Sequence, residues 1–255
     1  MSVSFMTIAS GSSGNSALFS CKNTRVLIDA GLSAAAIERG LKAEGISPAD
    51  INALFVSHEH SDHTRGVDVL ARRHGWPVYM TKGTWSAARG LNLPQSQQML
   101  MRPGYGIRID NIEVLPFDIP HDAAEPVGFC LFANDVKVSI ATDLGHVSNS
   151  VLNHIQNSHI LLIEANHDLD MLRHGRYPMA LKRRILSPQG HLDNVSCGQM
   201  IQRAITRNTR HVLLGHLSQE NNSPQLAFDT VSAILQSDDI ELRVAPRATT
   251  MKIIF

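Results

Sequence analysis

Apolar positions along this chain follow two periods, and their alternation lays out most of the elements. Alternating or continuous apolar runs predict strands at Ser4–Ile8, Ala17–Cys21 and Arg25–Asp29, followed by a helix from an N-cap at Ser33 to about Glu44. A short apolar run, Ala53-Leu54-Phe55-Val56-Ser57, reads as a strand, and Gly66, Val67, Leu70 and Ala71 then recur at helical spacing. A strand near Val78–Met80 and a short helix around Thr84–Arg89 come next. Residues 107–142 read as consecutive strands at Ile107–Ile109, Ile112–Phe117, Val127–Ala133 and Val136–Thr142, the last two joined by a hairpin turn at Ala133-Asn134-Asp135. Helix Asn149–Gln156, buried strand Ile160–Glu164, and helices around Asp168–His174, Pro178–Leu186 and Asn194–Arg207 follow. The chain ends with strand His211–Gly215, helix Pro224–Gln236 and two strands, Ile240–Val244 and Met251–Phe255, that are expected to close a sheet.

This order of strands, helices, more strands and more helices predicts two sheets packed face to face with helices outside. No linker divides it, so residues 1–255 are read as one domain, a length at which 43% hydrophobic residues can build a sizeable core. No apolar stretch approaches the roughly 20 residues of a membrane span. The N-terminus lacks an export signal, and Cys21, Cys130 and Cys197 are odd in number and far apart. Together these features predict a cytoplasmic protein without a membrane anchor.

Charge changes the picture little, because 23 basic residues balance 23 acidic ones. A bulk field that grips nucleic acid is therefore not expected. Local basic clusters do occur at Arg72-Arg73 and among Arg173, His174, Arg176, Lys182, Arg183 and Arg184. The second reads either as a solvated face or as a contact for a phosphate backbone. Trp76, Trp85 and Tyr79 are scattered and predict no stacking platform for single strands.

The chemistry is concentrated at His58-Glu59-His60-Ser61-Asp62-His63, three imidazoles and a carboxylate on a strand-to-helix loop. Such ligands suit zinc, manganese or iron. Alternate residues His58 and His60 can point the same way from an extended segment, while Asp62 and His63 reach past them.

This string resembles the HxHxDH signature of the metallo-β-lactamase superfamily, whose αβ/βα four-layer sandwich would be the fold. Further matches follow in order at strand ends: Asp29, His121, Asp143 and His216. The resemblance implies one divalent metal held by His58, His60 and His121, a second by Asp62, His63 and His216, and Asp143 bridging the two. Asp62 would also orient a water shared by the ions, whose pKa two such metals bring near neutrality. Asp29 is either an outer acceptor that fixes a ligand imidazole or a simple strand-end cap.

Two more segments narrow the substrate. Glu164-Ala165-Asn166-His167 and Gly190-His191-Leu192-Asp193-Asn194 are similar to strings of tRNase Z-type phosphodiesterases. The likeness implies His191 as general acid for the leaving oxygen and Glu164 as its orienting partner. With Ser10-Gly11-Ser12-Ser13-Gly14-Asn15-Ser16 and His216-Leu217-Ser218-Gln219-Glu220-Asn221-Asn222, they resemble the YycJ (WalJ) group of bacterial proteins within the superfamily. Asp193 departs from that group, where Ser is common. The interval between Asp143 and His216 leaves no room for a β-CASP insertion.

The implied function is a dinuclear metal-dependent phosphodiesterase, a 5′-to-3′ exonuclease with DNA as substrate. The alternative is hydrolysis of a small or cyclic phosphodiester. A third class, a non-hydrolytic metal-binding scaffold or a redox di-iron module, fits an intact ligand string less well. Ser12, Ser13 and Asn15 on the Gly/Ser loop either cradle a phosphate or form a tight turn. Asn166 and Asn194 are further candidates for substrate contact, and His167, Ser218, Asn221 and Asn222 lie on the same segments.

Overall fold

In the computed structural model, which describes residues 2–237 and 239–255, strands and helices follow the apolar pattern closely. The first half comprises β1 (Val3–Ala9), β2 (Ser16–Cys21), β3 (Thr24–Ile28), α1 (Ala34–Ala43), β4 (Ala53–Phe55), α2 (Ser61–Thr64), α3 (Val67–His74), β5 (Val78–Met80), α4 (Lys82–Ala87) and β6 (Gln98–Leu100). The second comprises β7 (Ile107–Ile109), β8 (Ile112–Asp118), β9 (Val127–Ala133), β10 (Val136–Ala141), α5 (Asn149–Ile155), β11 (Ile160–Glu164), α6 (Leu169–His174) and α7 (Met179–Ile185). It continues with α8 (Asn194–Ala204), β12 (His211–Gly215), α9 (Pro224–Leu235), β13 (Glu241–Val244) and β14 (Met251–Ile254).

These strands form two mixed sheets of seven, ordered β14-β1-β2-β3-β4-β5-β6 and β13-β12-β11-β10-β9-β8-β7. Pairing is antiparallel from β14 to β3 and parallel from β3 to β6. The second sheet repeats this arrangement, antiparallel from β7 to β10 and parallel from β10 to β13. Strands β3 and β10 are therefore equivalent places where each sheet changes direction.

The four layers follow from side-chain alternation. Along β11, Ile160 and Leu162 face the other sheet while Leu161 and Ile163 face the helices. A parallel strand covered on both sides accounts for that continuous apolar run. Phe55 joins the sheets, stacked on Tyr79 at 4.5 Å and edge-on to Phe129 at 6.2 Å. Such aromatic pairs add about 0.5–1.5 kcal/mol beyond their buried area. Outside the first sheet, Ile37, Leu41 and Leu70 seat α1 and α3 against Leu27 and Leu54. Side-chain caps set several helix starts: Ser33 accepts from the Ala36 amide, and Ser223 from Leu226 beside Pro224 at the first turn.

Three expectations change. The terminal strands do not close one sheet, since β13 extends the second beside β12 and β14 extends the first beside β1. The helix expected at Thr84–Arg89 begins at Lys82, because the Thr81 hydroxyl accepts from the Thr84 amide and caps it earlier. Strand β6 escapes the apolar pattern because Gln98 and Leu100 are exposed on a sheet edge.

The direction changes in the sheets leave a mark at Asp29-Ala30-Gly31 after β3 and Asp143-Leu144-Gly145 after β10. Both aspartates adopt left-handed backbone, φ 58° and 62°. Both glycines allow close approach of another segment. A Cβ on Gly31 would lie 1.6 Å from the Asp62 carbonyl oxygen, and one on Gly145 would lie 2.2 Å from that of Pro188. Gly31→Ala is thus expected to displace α2 and destabilise the fold by about 1–3 kcal/mol, the usual scale of overpacking. The denaturation midpoint of metal-stripped protein measures it, and an unchanged midpoint would show that the turn yields without cost.

Candidate active site

The two sheets place the ends of β3, β4, β10, β11 and β12 along one edge of the sandwich, and Asp29, His58, Asp143, Glu164 and His216 lie at those ends. His121 follows β8, Asp62 and His63 lie on α2, and His191 precedes α8. Polar groups concentrate there because ligand sites in such sheets lie beyond the C-terminal ends of parallel strands. His216, like Asp29 and Asp143, has positive φ, at 56°. Left-handed backbone is uncommon for these residues and costs free energy, and it recurs here where a strand must stop and turn its side chain into the cleft.

Two groups of ligand-type atoms form side by side. His58, His60 and His121 make one, and Asp62, His63, Asp143 and His216 the other. In the first, His60 Nδ1 lies 3.1 Å from His58 Nε2 and 3.3 Å from His121 Nε2. In the second, Asp143 Oδ2 lies 3.3 Å from His63 Nε2, and Asp143 Oδ1 lies 3.4 Å from His216 Nε2. Asp62 Oδ2 lies 3.4 Å from His63 Nε2 and 3.3 Å from His216 Nε2. Asp143 reaches towards both groups, with Oδ1 also 3.8 Å from His121 Nε2.

The outward nitrogens of His58, His63, His121 and His216 are held by oxygen. His63 Nδ1 donates to Asp29 Oδ2 at 2.8 Å, His216 Nδ1 to Glu164 Oε1 at 2.8 Å, and His121 Nδ1 to the Gly190 carbonyl at 3.3 Å. Ser57 Oγ sits 3.0 Å from His58 Nδ1 and donates to Asp29 Oδ2 at 2.9 Å. An imidazole that donates outward turns a lone pair inward. Three converging lone pairs repel unless a cation lies among them, and buried Asp143 Oδ2 has no hydrogen-bond partner among the described residues. The donor set therefore fits divalent metal.

Electrostatics agree with a site made for positive charge. Burial opposes ionisation of Asp143, but the surrounding imidazoles, His216 and His63 foremost, hold its carboxyl well below the usual range. Burial likewise opposes protonation of His63, yet Asp29, Asp143 and Asp62 raise its pKa well above the ordinary value. His58, fully buried and beside His63, is pushed well down.

Glu164 lies beside the second group, next to Asp143 and His216, and is fully buried. Its Oε1 accepts from His191 Nδ1 and His216 Nδ1, each at 2.8 Å. Its Oε2 accepts from the amides of Leu144 at 2.7 Å and Leu192 at 3.1 Å. Burial raises its pKa, but the two imidazoles outweigh that and bring it to about 2. Burial lowers the pKa of His191, and Glu164 raises it on balance above the ordinary histidine value. The role of Glu164 towards His216 was not legible from sequence, since the positions are far apart along the chain.

A cleft of about 380 Å³ opens over these residues, with Asp62, Asp143, His191 and His216 on one side. Ser12, Asn166 and Ser218 line it, whereas Ser13 is exposed outside it. Asn15 is drawn inward instead: its Oδ1 accepts from the Gly11 amide and its Nδ2 lies 3.2 Å from His63 Nε2. Asn194, expected near substrate, is 1% exposed and paired amide to amide with Asn222, at 3.1 and 2.8 Å. It pins α8 to the loop after β12 and does not reach the cleft. Asp193, at the position where the group commonly has Ser, caps α8 by accepting from the amides of Val195 and Ser196.

Tyr177 and, from α7, Leu181, Arg184 and Ile185 also line the cleft. Sequence reading overlooked Tyr177, an aromatic group inside the cleft. The basic cluster also splits in two. Lys182 is 8% exposed and donates to the Arg173 carbonyl, whereas Arg184 turns to the cleft and pairs with Asp122, next to His121. Arg72 and Arg73 pair with Asp68 and Glu38 on a solvated face.

Comparison with known proteins agrees with this architecture. The family described as "Beta-lactamase superfamily domain" matches residues 24–217, from β3 to just beyond β12. The chain is 40% identical over 238 residues to the protein named exodeoxyribonuclease YycJ of Bacillus anthracis, covering 92% of this chain and 90% of that one. It belongs to the metallo-β-lactamase superfamily, in the YycJ/WalJ family. Exodeoxyribonuclease WalJ of Streptococcus pneumoniae serotype 2 is 37% identical over 239 residues, with 92% and 89% coverage. Among solved structures, the metallo-β-lactamase fold protein YhfI of Bacillus subtilis superposes with TM-score 0.76 at 16% identity, over 99% of this chain and 100% of that one. That likeness shows the fold. Both sheets and their outer helices match it.

Asp29 holds both Ser57 and His63, with Oδ1 2.7 Å from the Ser57 amide. Asp29→Ala is expected to weaken affinity for zinc or manganese about 10–100-fold, the usual effect of removing an outer partner. Calorimetric titration of metal-stripped protein measures it. Unchanged affinity with lowered stability would leave Asp29 as a strand-end cap.

Proposed function

We propose that the chain is a dinuclear metal-dependent phosphodiesterase acting on DNA as a 5′-to-3′ exonuclease in the cytoplasm. The reading rests above all on Glu164, whose single oxygen joins His191, the residue suited to protonate a leaving group, to His216 in the metal-ligand cluster. The extensive identity to relatives named exodeoxyribonucleases supports DNA as the substrate class. The three cysteines, buried as free thiols, suit a reducing compartment.

His58, His60 and His121 would hold one ion and Asp62, His63 and His216 the other, with Asp143 shared. Zinc and manganese both suit this set, and iron is compatible with it. Two such ions supply charge neutralisation for a phosphoryl group and water of lowered pKa. The chain's own groups do the rest. Glu164 accepts a hydrogen bond from His191 Nδ1–H, so Nε2 is the ring nitrogen that exchanges a proton with substrate. An imidazole with its pKa raised by a carboxylate keeps that proton near neutrality and releases it to a leaving oxygen that gains charge. Asp62 lines the cleft and points one carboxylate oxygen at His216, placed to accept a hydrogen bond from attacking water. Arg184, oriented by Asp122, sets positive charge in the cleft where it could meet phosphate oxygens.

The deciding assay offers manganese- and zinc-loaded protein 5′-phosphorylated duplex DNA, single-stranded DNA, RNA and bis-p-nitrophenyl phosphate side by side. Stepwise release of nucleotides from the 5′ end of DNA is expected, and Asp143→Ala should abolish it. Turnover of the small ester alone would move the protein to hydrolysis of small phosphodiesters. His191→Ala is expected to keep bound metal while kcat falls about 10²–10⁴-fold, the scale of a lost general acid. Metal analysis of that variant is the check, and loss of metal would make His191 a ligand instead.

A further inference from the structure

The other tyrosines and tryptophans are engaged in packing or lie elsewhere. Trp76 is 1% exposed, Trp85 donates to the Met99 carbonyl at 3.0 Å, Tyr79 stacks on Phe55, and Tyr105 stands on the loop between β6 and β7. Tyr177 differs from all of them. It is half-buried and lines the cleft, where it is the one residue of the Phe, Tyr and Trp types among the described residues. Leu181 and Ile185, a helical turn apart on α7, line the same cleft and continue from it as an apolar strip.

This strip is anchored at both ends. At the inner end Ile185 is 8% exposed, and its carbonyl accepts from the His191 amide at 2.9 Å, so it adjoins the proposed general acid. At the outer end Pro178 follows Tyr177 as the N-cap of α7, and Lys182 donates to the Arg173 carbonyl at 2.7 Å, tying α7 to α6. Just before Tyr177, the chain passes so close to buried Asn221 that a Cβ on Gly175 would lie 2.5 Å from its Oδ1. The backbone is braced while the ring stays partly exposed to the cleft. An aromatic side chain held in this way is preorganised for contact with a ligand.

Arg184 beside the strip already supplies charge for phosphate oxygens, which need no aromatic neighbour. The strip suits the flat, weakly polar part of a nucleotide, because every base has a π-face that can stack on such a ring. We propose that Tyr177, with Leu181 and Ile185, forms a subsite for the nucleobase on the leaving side of the scissile bond. The inference rests on the phosphodiesterase reading above and names the part of the substrate that this region of the cleft meets. The side follows from His191. That residue protonates the leaving oxygen, and the strip starts at the residue bonded to it, so the nucleoside carrying that oxygen lies over the strip. In 5′-to-3′ digestion this nucleoside is the terminal one, and each cycle presents one base to Tyr177.

Calorimetric titration of full-length manganese-loaded protein tests the subsite with two ligands. One is 2′-deoxyadenosine 3′-monophosphate, whose phosphate can take the place of the scissile one, and the other is methyl phosphate, which has no base. Tyr177→Ala is expected to weaken nucleotide binding about 5–150-fold, the range of one stacked base, and to leave methyl phosphate unaffected. Tyr177→Phe keeps the ring and should bind the nucleotide as the wild type does. Equal losses for both ligands would overturn the subsite by making Tyr177 a support of the cleft, and no loss for either would overturn it too. A loss confined to 2′-deoxyadenosine 5′-monophosphate, titrated alongside, would overturn the assignment to the leaving side. If the wild type fails to degrade DNA while Tyr177→Ala loses the 3′-nucleotide alone, the exonuclease reading falls and the subsite stands. If the wild type degrades DNA and Tyr177→Ala binds and cleaves as well as it does, the subsite falls alone.

Discussion

A buried carboxylate, Glu164, holds the site together. Moving an ionised carboxylate out of water is costly unless hydrogen bonds replace the lost hydration. Here four donors do so, from the turn after β10, the loop before α8, the end of β12 and His191 itself. Each of those segments is thereby placed relative to the others. His191, the proposed general acid, and His216, a proposed metal ligand, consequently share one acceptor atom, Glu164 Oε1.

Asp29 performs the corresponding task in the first sheet. It follows β3 as Asp143 follows β10, and it satisfies Ser57 and His63 with a carboxylate that is 5% exposed. The parallel between the halves goes beyond strand order. In each, a sheet changes direction, an Asp-x-Gly turn enters left-handed backbone, and the glycine admits a neighbouring segment at a distance no side chain would allow. The two aspartates serve different ends. One braces a ligand ring from outside, and the other faces the cluster from within.

The walls around this rigid centre differ in character. The candidate ligand cluster comes from strand ends and α2, tied by backbone hydrogen bonds that include Asn15 to Asp62 at 2.9 Å and Gly66 to Ala30 at 2.7 Å. Another part of the cleft, α7 with Tyr177 before it, is a short helix with exposed residues such as Met179. Beside the cluster, this segment offers a substrate one guanidinium, Arg184, among the largely apolar Tyr177, Leu181 and Ile185. No helix is long and apolar enough to cross a membrane among the described residues.

The sequence by itself determined the layers and the identity of the reactive groups. Hydrophobic period is local, so β9, β11 and β12 begin and end where the apolar runs do, and the edge strand β6 was missed because its side chains face water. The ligand string was legible because its residue types carry their chemistry wherever they are placed. Tertiary structure alone decided which polar side chains meet. It drew Asn15 beneath the Gly/Ser loop, closed Asn194 on Asn222, buried Lys182 against the Arg173 carbonyl and gave Glu164 its second imidazole. Those outcomes depend on partners distant in the chain, because a buried hydrogen-bonding atom must take whichever donor or acceptor the packed strands bring within about 3 Å.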